Sequence, residues 1–106
     1  MENRRMLSEL HKKEYAATDF NRQVRIQDSG LADFEIYYIR KYMKPNLPTL
    51  DIGTGGGRIA FALEKTEGYT NITAIDFVEE FVDLSIKKAN EMNSDIKFRS
   101  FRNECE

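Results

Sequence analysis

The chain has few of the residues that form disulfides and metal centres. Its 106 residues include one cysteine, Cys105, and one histidine, His11. A single cysteine cannot form an internal disulfide, and a histidine without companion cysteines or histidines rarely starts a metal site. The sequence therefore excludes a disulfide scaffold and predicts no metal.

Long apolar runs are also absent. No segment approaches the roughly 20 apolar residues of a membrane span, and the polar start at residues 1–5 is not followed by a signal-peptide core. The 16 basic and 18 acidic side chains give a net charge of -2, which offers no electrostatic attraction for nucleic acid. We therefore expect a cytoplasmic protein with no membrane or nucleic-acid partner.

A glycine-rich turn after an apolar strand is the most informative segment of the chain. Residues 49–52 fit a short strand, and the sequence from Asp51 to Arg58 is D-I-G-T-G-G-G-R. Glycines at 53, 55 and 57 allow positive φ and remove the Cβ atoms that would hold a ligand away from the backbone. This pattern predicts a binding surface where a strand turns into a helix.

A second acid follows at the end of the next strand. The run 72–75 is β-branched and apolar, and it ends on Asp76. A carboxylate at the carboxyl end of a parallel strand can accept hydrogen bonds from both hydroxyls of a ribose. Asp76 therefore indicates a nucleoside ligand without choosing between cofactors.

The glycine spacing separates two classes of ligand. The dinucleotide fingerprint G-x-G-x-x-G requires a third glycine at position 58, where this chain has Arg58. The residues fit D-x-G-x-G-x-G instead, and over residues 49–99 the chain resembles the N-terminal half of the class I S-adenosylmethionine-dependent methyltransferases. In that family the glycine turn packs against the methionine portion of the cofactor. The resemblance therefore predicts cofactor contacts at Asp51, Gly53, Thr54, Gly55 and Gly57.

Further roles follow from the same resemblance. Asp76 would hold the ribose hydroxyls of S-adenosylmethionine, and Phe77 would lie along its adenine. Tyr15 and Arg25 are candidates for closing over the cofactor, since related proteins use an N-terminal aromatic residue and an arginine near the cofactor carboxylate. We assign no catalytic residue, because displacement of a methyl group from a sulfonium requires alignment rather than a nucleophile of the protein.

Helices and strands alternate along the chain. Helices are predicted over residues 2–16, 31–43, 57–65 and 78–93, and strands over residues 49–52, 72–76 and 96–99. This order predicts an α/β fold with parallel strands and right-handed crossovers. By resemblance the strand order is 3-2-1, a partial doubly wound sheet forming a truncated Rossmann-like core. We expect an N-terminal helical extension at 1–46 and an S-adenosylmethionine-binding half-domain at 47–106.

The apolar periodicity of the helix at 31–43 predicts that it faces a core. The positions concerned recur at three- and four-residue spacing and are Leu31, Phe34, Tyr38, Ile39 and Tyr42. The neighbouring tyrosines 37, 38 and 42 are accordingly expected to pack on this helix face rather than to form an aromatic cage.

The end of the chain predicts an incomplete sheet. The family's next acidic motif, a Gly-Asp pair, would fall at Phe101 and Arg102, and no later strands follow. Without a fourth strand the edge at 49–52 is unpaired, so we expect a homodimer through it. Three interpretations remain open: a methyltransferase of an unidentified, small-molecule acceptor, an NAD- or nucleotide-binding half-domain, and a non-catalytic fragment that assembles with itself.

Overall fold

The computed structural model describes residues 19–101 of the chain. Helix α1 covers residues 19–26, a helix that the sequence analysis did not predict, while the helix predicted at 2–16 lies outside the described residues. The remaining elements are, in order, α2 (Asp33–Tyr42), β1 (Thr49–Ile52), α3 (Arg58–Glu67), β2 (Ile72–Asp76), α4 (Glu79–Met92) and β3 (Lys97–Ser100). Their bounds agree with the predicted elements to within two residues.

The three strands form one parallel sheet in the order β1-β2-β3. In its register Ile52 lies beside Ile75, and Asp76 lies beside Ser100. The predicted α/β fold and the predicted order 3-2-1 are confirmed, since the two orders are the same sheet numbered from opposite edges. Because the strands are parallel, their carboxyl ends meet at one edge of the sheet.

The core lies where α3 and α4 pack on the central strand. On β2 the residues Ile72, Ala74 and Asp76 are buried and alternate with half-buried ones. The rings of Phe61 on α3 and Phe98 on β3 pack with centroids 5.2 Å apart. Each fully buried aromatic side chain stabilises the fold by about 1.5–3 kcal/mol. This packing fixes the end of β2, and with it Asp76.

Helix α2 does not face a core along its whole apolar stripe. Leu31 and Ile39 pack partly against the core, whereas Phe34, Tyr38 and Tyr42 are exposed, Tyr42 to 70%. The prediction was wrong for these three aromatic residues. Periodicity identifies an apolar stripe but does not predict whether another element packs on it. Within residues 19–101 no element packs on this face of α2. The Tyr38 and Tyr42 rings stack on each other instead, 6.2 Å apart.

An ion pair attaches α2 to α3. The Arg58 guanidinium donates to both carboxylate oxygens of Glu35, each at 2.9 Å, and also to the carbonyl of Gly30 at 2.7 Å. The Ala32 amide donates to Glu35 as well. Together these donors, Arg58 foremost, lower the pKa of Glu35 to about 2. Arg58, which breaks the dinucleotide fingerprint, therefore helps to hold α2 in place, as does a second ion pair between Arg40 and Glu67. The domain boundary between residues 46 and 47 stays a prediction.

Strand β1 is an edge strand within the described part of the chain. The amides of Thr49 and Gly53 donate to carbonyls of the β2 side at 2.9 Å. By strand alternation, the amides of Leu50 and Ile52 then face away from β2. Both side chains are exposed, Ile52 to 69%. The open edge predicted from the sequence is present, and the homodimer stays a prediction.

None of the helices within residues 19–101 combines the length and apolarity needed to cross a membrane.

Candidate functional site

The glycine loop, residues 53–57, connects β1 to α3 and is bound to the end of β2. The amides of Gly53 and Thr54 both donate to the Ile75 carbonyl, at 2.9 and 3.0 Å, and the Gly57 amide donates to Thr54. Gly53 and Gly55 have φ of 75° and 59°. A residue with a Cβ is strained in that left-handed region, which explains why the loop sequence alternates glycine.

Asp76 joins the glycine loop to the start of α4. Its carboxylate is buried; Oδ2 accepts a hydrogen bond from the Gly55 amide and Oδ1 accepts one from the Val78 amide, both at 2.9 Å. Each carboxylate oxygen can accept two hydrogen bonds, so one lone pair on each oxygen remains for a ligand hydroxyl. The structure thus brings two predicted site residues, Gly55 and Asp76, into direct contact.

Three further side chains hold the backbone of the same loop. The Gly56 amide donates to Gln23 Oε1 at 3.0 Å, and Gln27 Nε2 donates to the Gly56 carbonyl at 2.7 Å. The Ser85 hydroxyl on α4 lies 3.0 Å from the Gly55 carbonyl oxygen and 2.9 Å from the carbonyl oxygen of Phe81, one turn earlier on α4. Its single proton is shared between these two acceptors. Every polar backbone atom of Gly55 and Gly56 is therefore paired with a protein side chain.

Gln23 and Gln27 were not predicted from the sequence as site residues. The signal available was their spacing of four residues, which places two side chains on one face of a helix. It was weak because glutamine is common on exposed helix faces. Only the fold shows that this face lies against the glycine loop.

Two polar oxygens near the end of β1 are buried without a hydrogen-bond partner. They are Asp51 Oδ2 and Thr54 Oγ1, both from residues predicted to contact a cofactor. Burial raises the pKa of the Asp51 carboxyl, and this rise is opposed by the Thr54 hydroxyl, which lies near the carboxyl but outside hydrogen-bond geometry, and by the Arg58 guanidinium. Unpaired buried polar atoms cost about 1–3 kcal/mol each. Such atoms are suited to a ligand that supplies hydrogen bonds.

An aromatic surface lies at the carboxyl ends of β2 and β3. Phe77 is partly exposed, and its ring lies 6.2 Å from that of Phe101 at an angle of 58°. Ser100 Oγ, on the strand position beside Asp76, is buried without a hydrogen-bond partner. Phe101 and Ser100 were not predicted as site residues, and they add a second aromatic ring and a hydroxyl beside Phe77.

The other predicted site residues differ in position. A Cβ added at Gly53 would meet open space, whereas one added at Gly57 would lie 2.7 Å from the Phe61 ring, so Gly57 faces the core. Arg25 is exposed on α1. Tyr15 lies outside the described residues. Their roles toward a cofactor stay predictions.

The paired backbone limits which ligands the glycine loop can bind. All five amides from Gly53 to Gly57 donate to acceptors of the protein. Diphosphate binding relies on such amides being free to donate to the ligand. Burial foremost, and to a smaller degree the nearby Asp76 carboxylate, raise the pKa of the Asp51 carboxyl, so two acidic side chains lie close together here. The geometry disfavours a diphosphate and suits a ligand with hydroxyl donors and positive charge. Among residues 19–101 no group of three or more acidic, histidine or cysteine side chains could hold a metal ion.

A comparison with known proteins finds a similar methyltransferase. Over 54 residues the chain is 43% identical to a release factor glutamine methyltransferase of Streptococcus pneumoniae (strain ATCC BAA-255 / R6). The predicted resemblance to a methyltransferase is confirmed. The match covers 51% of this chain and 19% of the relative. No family model matches the chain.

Proposed function

We propose that the chain carries the S-adenosylmethionine-binding part of a methyltransferase. The observation that carries the proposal is the buried Asp76 carboxylate on the Gly55 amide, where β1 and β2 end together. The methyltransferase match to half of the chain supports the same class of protein.

The cofactor would lie across the ends of the three strands. Asp76 accepts hydrogen bonds from the ribose hydroxyls through its remaining lone pairs, and Phe77 packs on the adenine with Phe101 beside it. Asp51 and Thr54 contribute the unpaired oxygens at the methionine end. Gly53 leaves open space in front of the backbone, and Gly55 keeps the loop in its bound shape.

The chemistry requires little of the protein beyond position and charge. When bound, S-adenosylmethionine would supply a methyl group on its sulfonium: the acceptor would bond to the methyl carbon as the carbon–sulfur bond breaks, and S-adenosylhomocysteine would leave as a neutral thioether. The carboxylates of Asp51 and Asp76 provide negative potential for that cation. Arg25 is proposed to reach the cofactor carboxylate, and Tyr15 to close over the site. None of these residues is assigned as a base.

Two classes of methyl acceptor are proposed. A small molecule is the first, as inferred from the sequence. The second is a glutamine side chain of a protein, favoured by the name of the relative with 43% identity. Incubation with labelled S-adenosylmethionine and either a small-molecule extract or a purified release factor tells them apart by the size of the labelled product.

The NAD- or nucleotide-binding interpretation is the main alternative. It is weakened by the pairing of all five loop amides, which leaves no donor of this loop for a diphosphate. Calorimetric titration of the chain with S-adenosylhomocysteine and, separately, with NADH tests the choice. Saturable binding of the first alone supports the proposal, and binding of NADH alone rejects it.

Assembly is proposed to occur through β1. The edge strand and the exposed aromatic face of α2 border one groove of about 350 Å³, lined by residues including Phe34, Tyr38, Met43 and Leu50. A second copy of the chain pairing along β1 would cover both. A chain that assembles in this way without binding cofactor would fit the alternative of a non-catalytic fragment.

A cytoplasmic location is retained as the expectation from the sequence.

A further inference from the structure

We propose that α1 and the turn directly after it form a positioning element of the cofactor site, acting on Gly56 through a clamp of Gln23 on α1 and Gln27 in the turn. The inference that the clamp increases cofactor affinity rests on the proposed function. The inference that the clamp orders the glycine loop is independent of that function.

The clamp uses both polar backbone atoms of one residue. Gln23 Oε1 accepts from the Gly56 amide at 3.0 Å, and Gln27 Nε2 donates to the Gly56 carbonyl at 2.7 Å. Both glutamines are buried, with 8% and 7% of their surface exposed. Glutamine is mostly an exposed residue, and two buried amide side chains that bond the same residue indicate a defined arrangement.

The turn after α1 is anchored to α4 and to the start of α3. Lys88 on α4 forms an ion pair with Asp28 at 2.9 Å, and Arg58 at the start of α3 donates to the Gly30 carbonyl at 2.7 Å. Gln27 lies directly before these anchor points. The clamp is therefore held against the loop by contacts outside it.

The clamp also leaves no space for a side chain at position 55. A Cβ added at Gly55 would lie 2.5 Å from Gln23 Oε1, so the Gln23 amide fills the space beside that residue. The Gly55 amide is the one that Asp76 holds from the other side. Gln23 and Asp76 thus fix successive amides of the loop, and displacement of α1 releases one of these two restraints.

The consequence is a linkage between α1 and the cofactor. A ligand that binds the ordered loop favours the docked position of α1, and docking of α1 increases the affinity for that ligand by the same factor. Gln23 and Gln27 are positioning residues in this account, since their bonds are made to the loop.

The test uses amide hydrogen exchange of Gly56, followed by NMR without ligand, and calorimetric affinity for S-adenosylhomocysteine. Gln23→Ala should accelerate Gly56 exchange by about tenfold or more, because the acceptor of that amide is lost. Arg22→Ala, at an exposed position of the same helix, is the control and should leave both quantities unchanged.

Isosteric variants separate a hydrogen-bonded clamp from simple packing. Gln27→Glu places an oxygen against the Gly56 carbonyl and should weaken S-adenosylhomocysteine binding about tenfold or more. Gln23→Glu retains an acceptor for the Gly56 amide and should keep exchange of that amide slow. If Gln27→Glu does not fold, Gln27→Met removes the donor without adding charge.

Three results would overturn the proposal. The first is unchanged Gly56 exchange in Gln23→Ala, and the second is equal effects of the two glutamate variants on both measurements. The third is tighter S-adenosylhomocysteine binding in Gln23→Ala, which would mean that α1 competes with the cofactor. If the parent chain binds no S-adenosylhomocysteine, the proposed function fails, and Gly56 exchange still decides whether the clamp exists.

Discussion

The Gly55 amide and the Asp76 carboxylate are joined by a hydrogen bond of 2.9 Å that links the carboxyl ends of β1 and β2. The two residues are 21 positions apart, and each follows from a different sequence signal. Their contact places the backbone turn and the acid at the same edge of the sheet. A ribose at this edge can donate to the remaining lone pairs of the acid while it packs against the turn.

Asp76→Ala should lower the affinity for S-adenosylhomocysteine at least about tenfold, because hydrogen bonds to a charged group contribute about 1.5–3 kcal/mol each. The variant also leaves the Gly55 and Val78 amides without their acceptor, so its melting temperature should fall. Calorimetry and thermal unfolding measure the two effects. Asp83→Ala, at an exposed position of α4, is the control. Unchanged affinity in Asp76→Ala would reject the ribose role.

Gly55→Ala should abolish S-adenosylhomocysteine binding and destabilise the fold more than Gly68→Ala does. Both glycines have positive φ, of 59° and 77°, so each variant carries the backbone strain of about 1–2 kcal/mol. Only at Gly55 does the new Cβ meet a side chain, that of Gln23, while Gly68 has open space. Gly55→Val should be more severe still. Equal unfolding midpoints for the two alanine variants would show that the loop tolerates a side chain at Gly55.

The three strands, the glycine loop and the position of Asp76 at the end of β2 followed from local sequence signals, whereas the hydrogen bond between Asp76 and the loop was not predicted. Alternating apolar strands, the glycine turn and the acid after β2 each act over a few residues, so each is visible in the sequence. Parallel strands then bring their carboxyl ends together. This is why Asp51, Gly55 and Asp76 could be assigned to one ligand site from the sequence.

The contacts of α1 and the exposure of α2 could not be predicted in the same way. Gln23 and Gln27 form hydrogen bonds with Gly56, which lies some 30 positions further along the chain. No local sequence pattern indicates a contact over that separation. For α2, periodicity located the aromatic stripe but could not indicate whether another element covers it. Both features depend on tertiary packing rather than on the order of residues within a helix.

The ion pair between Glu35 and Arg58 predicts a dependence of stability on pH. The folded pKa of Glu35 is about 2, below the ordinary value of 4.5, so the pair stabilises the fold above pH 4.5 and its contribution is lost as the pH falls toward 2. Glu35→Gln should therefore destabilise the chain by about 1 kcal/mol at pH 7. The difference between parent and variant should shrink below pH 4. Urea unfolding across this range measures it, and a constant difference would contradict the assignment.

Ile52→Lys should shift the chain from dimer to monomer if the β1 edge is the interface. Ile52 is exposed at that edge, and a charge on an edge strand opposes pairing with another strand. Ile86→Lys, at an exposed apolar position of α4, should leave the mass unchanged. Light scattering at micromolar concentration gives the mass. A parent chain that is monomeric, with slow amide exchange at Ile52, would exclude this interface.

The central claim is that the ends of β1 and β2 bind S-adenosylmethionine, and chemical-shift mapping tests it most directly. Uniformly ¹⁵N-labelled chain is titrated with S-adenosylhomocysteine while the backbone amides are followed by NMR. The account predicts saturable shifts concentrated at Gly53, Thr54, Gly55, Asp76 and Phe77. Shifts confined to the groove between α2 and β1, or no shifts up to millimolar ligand, would contradict it.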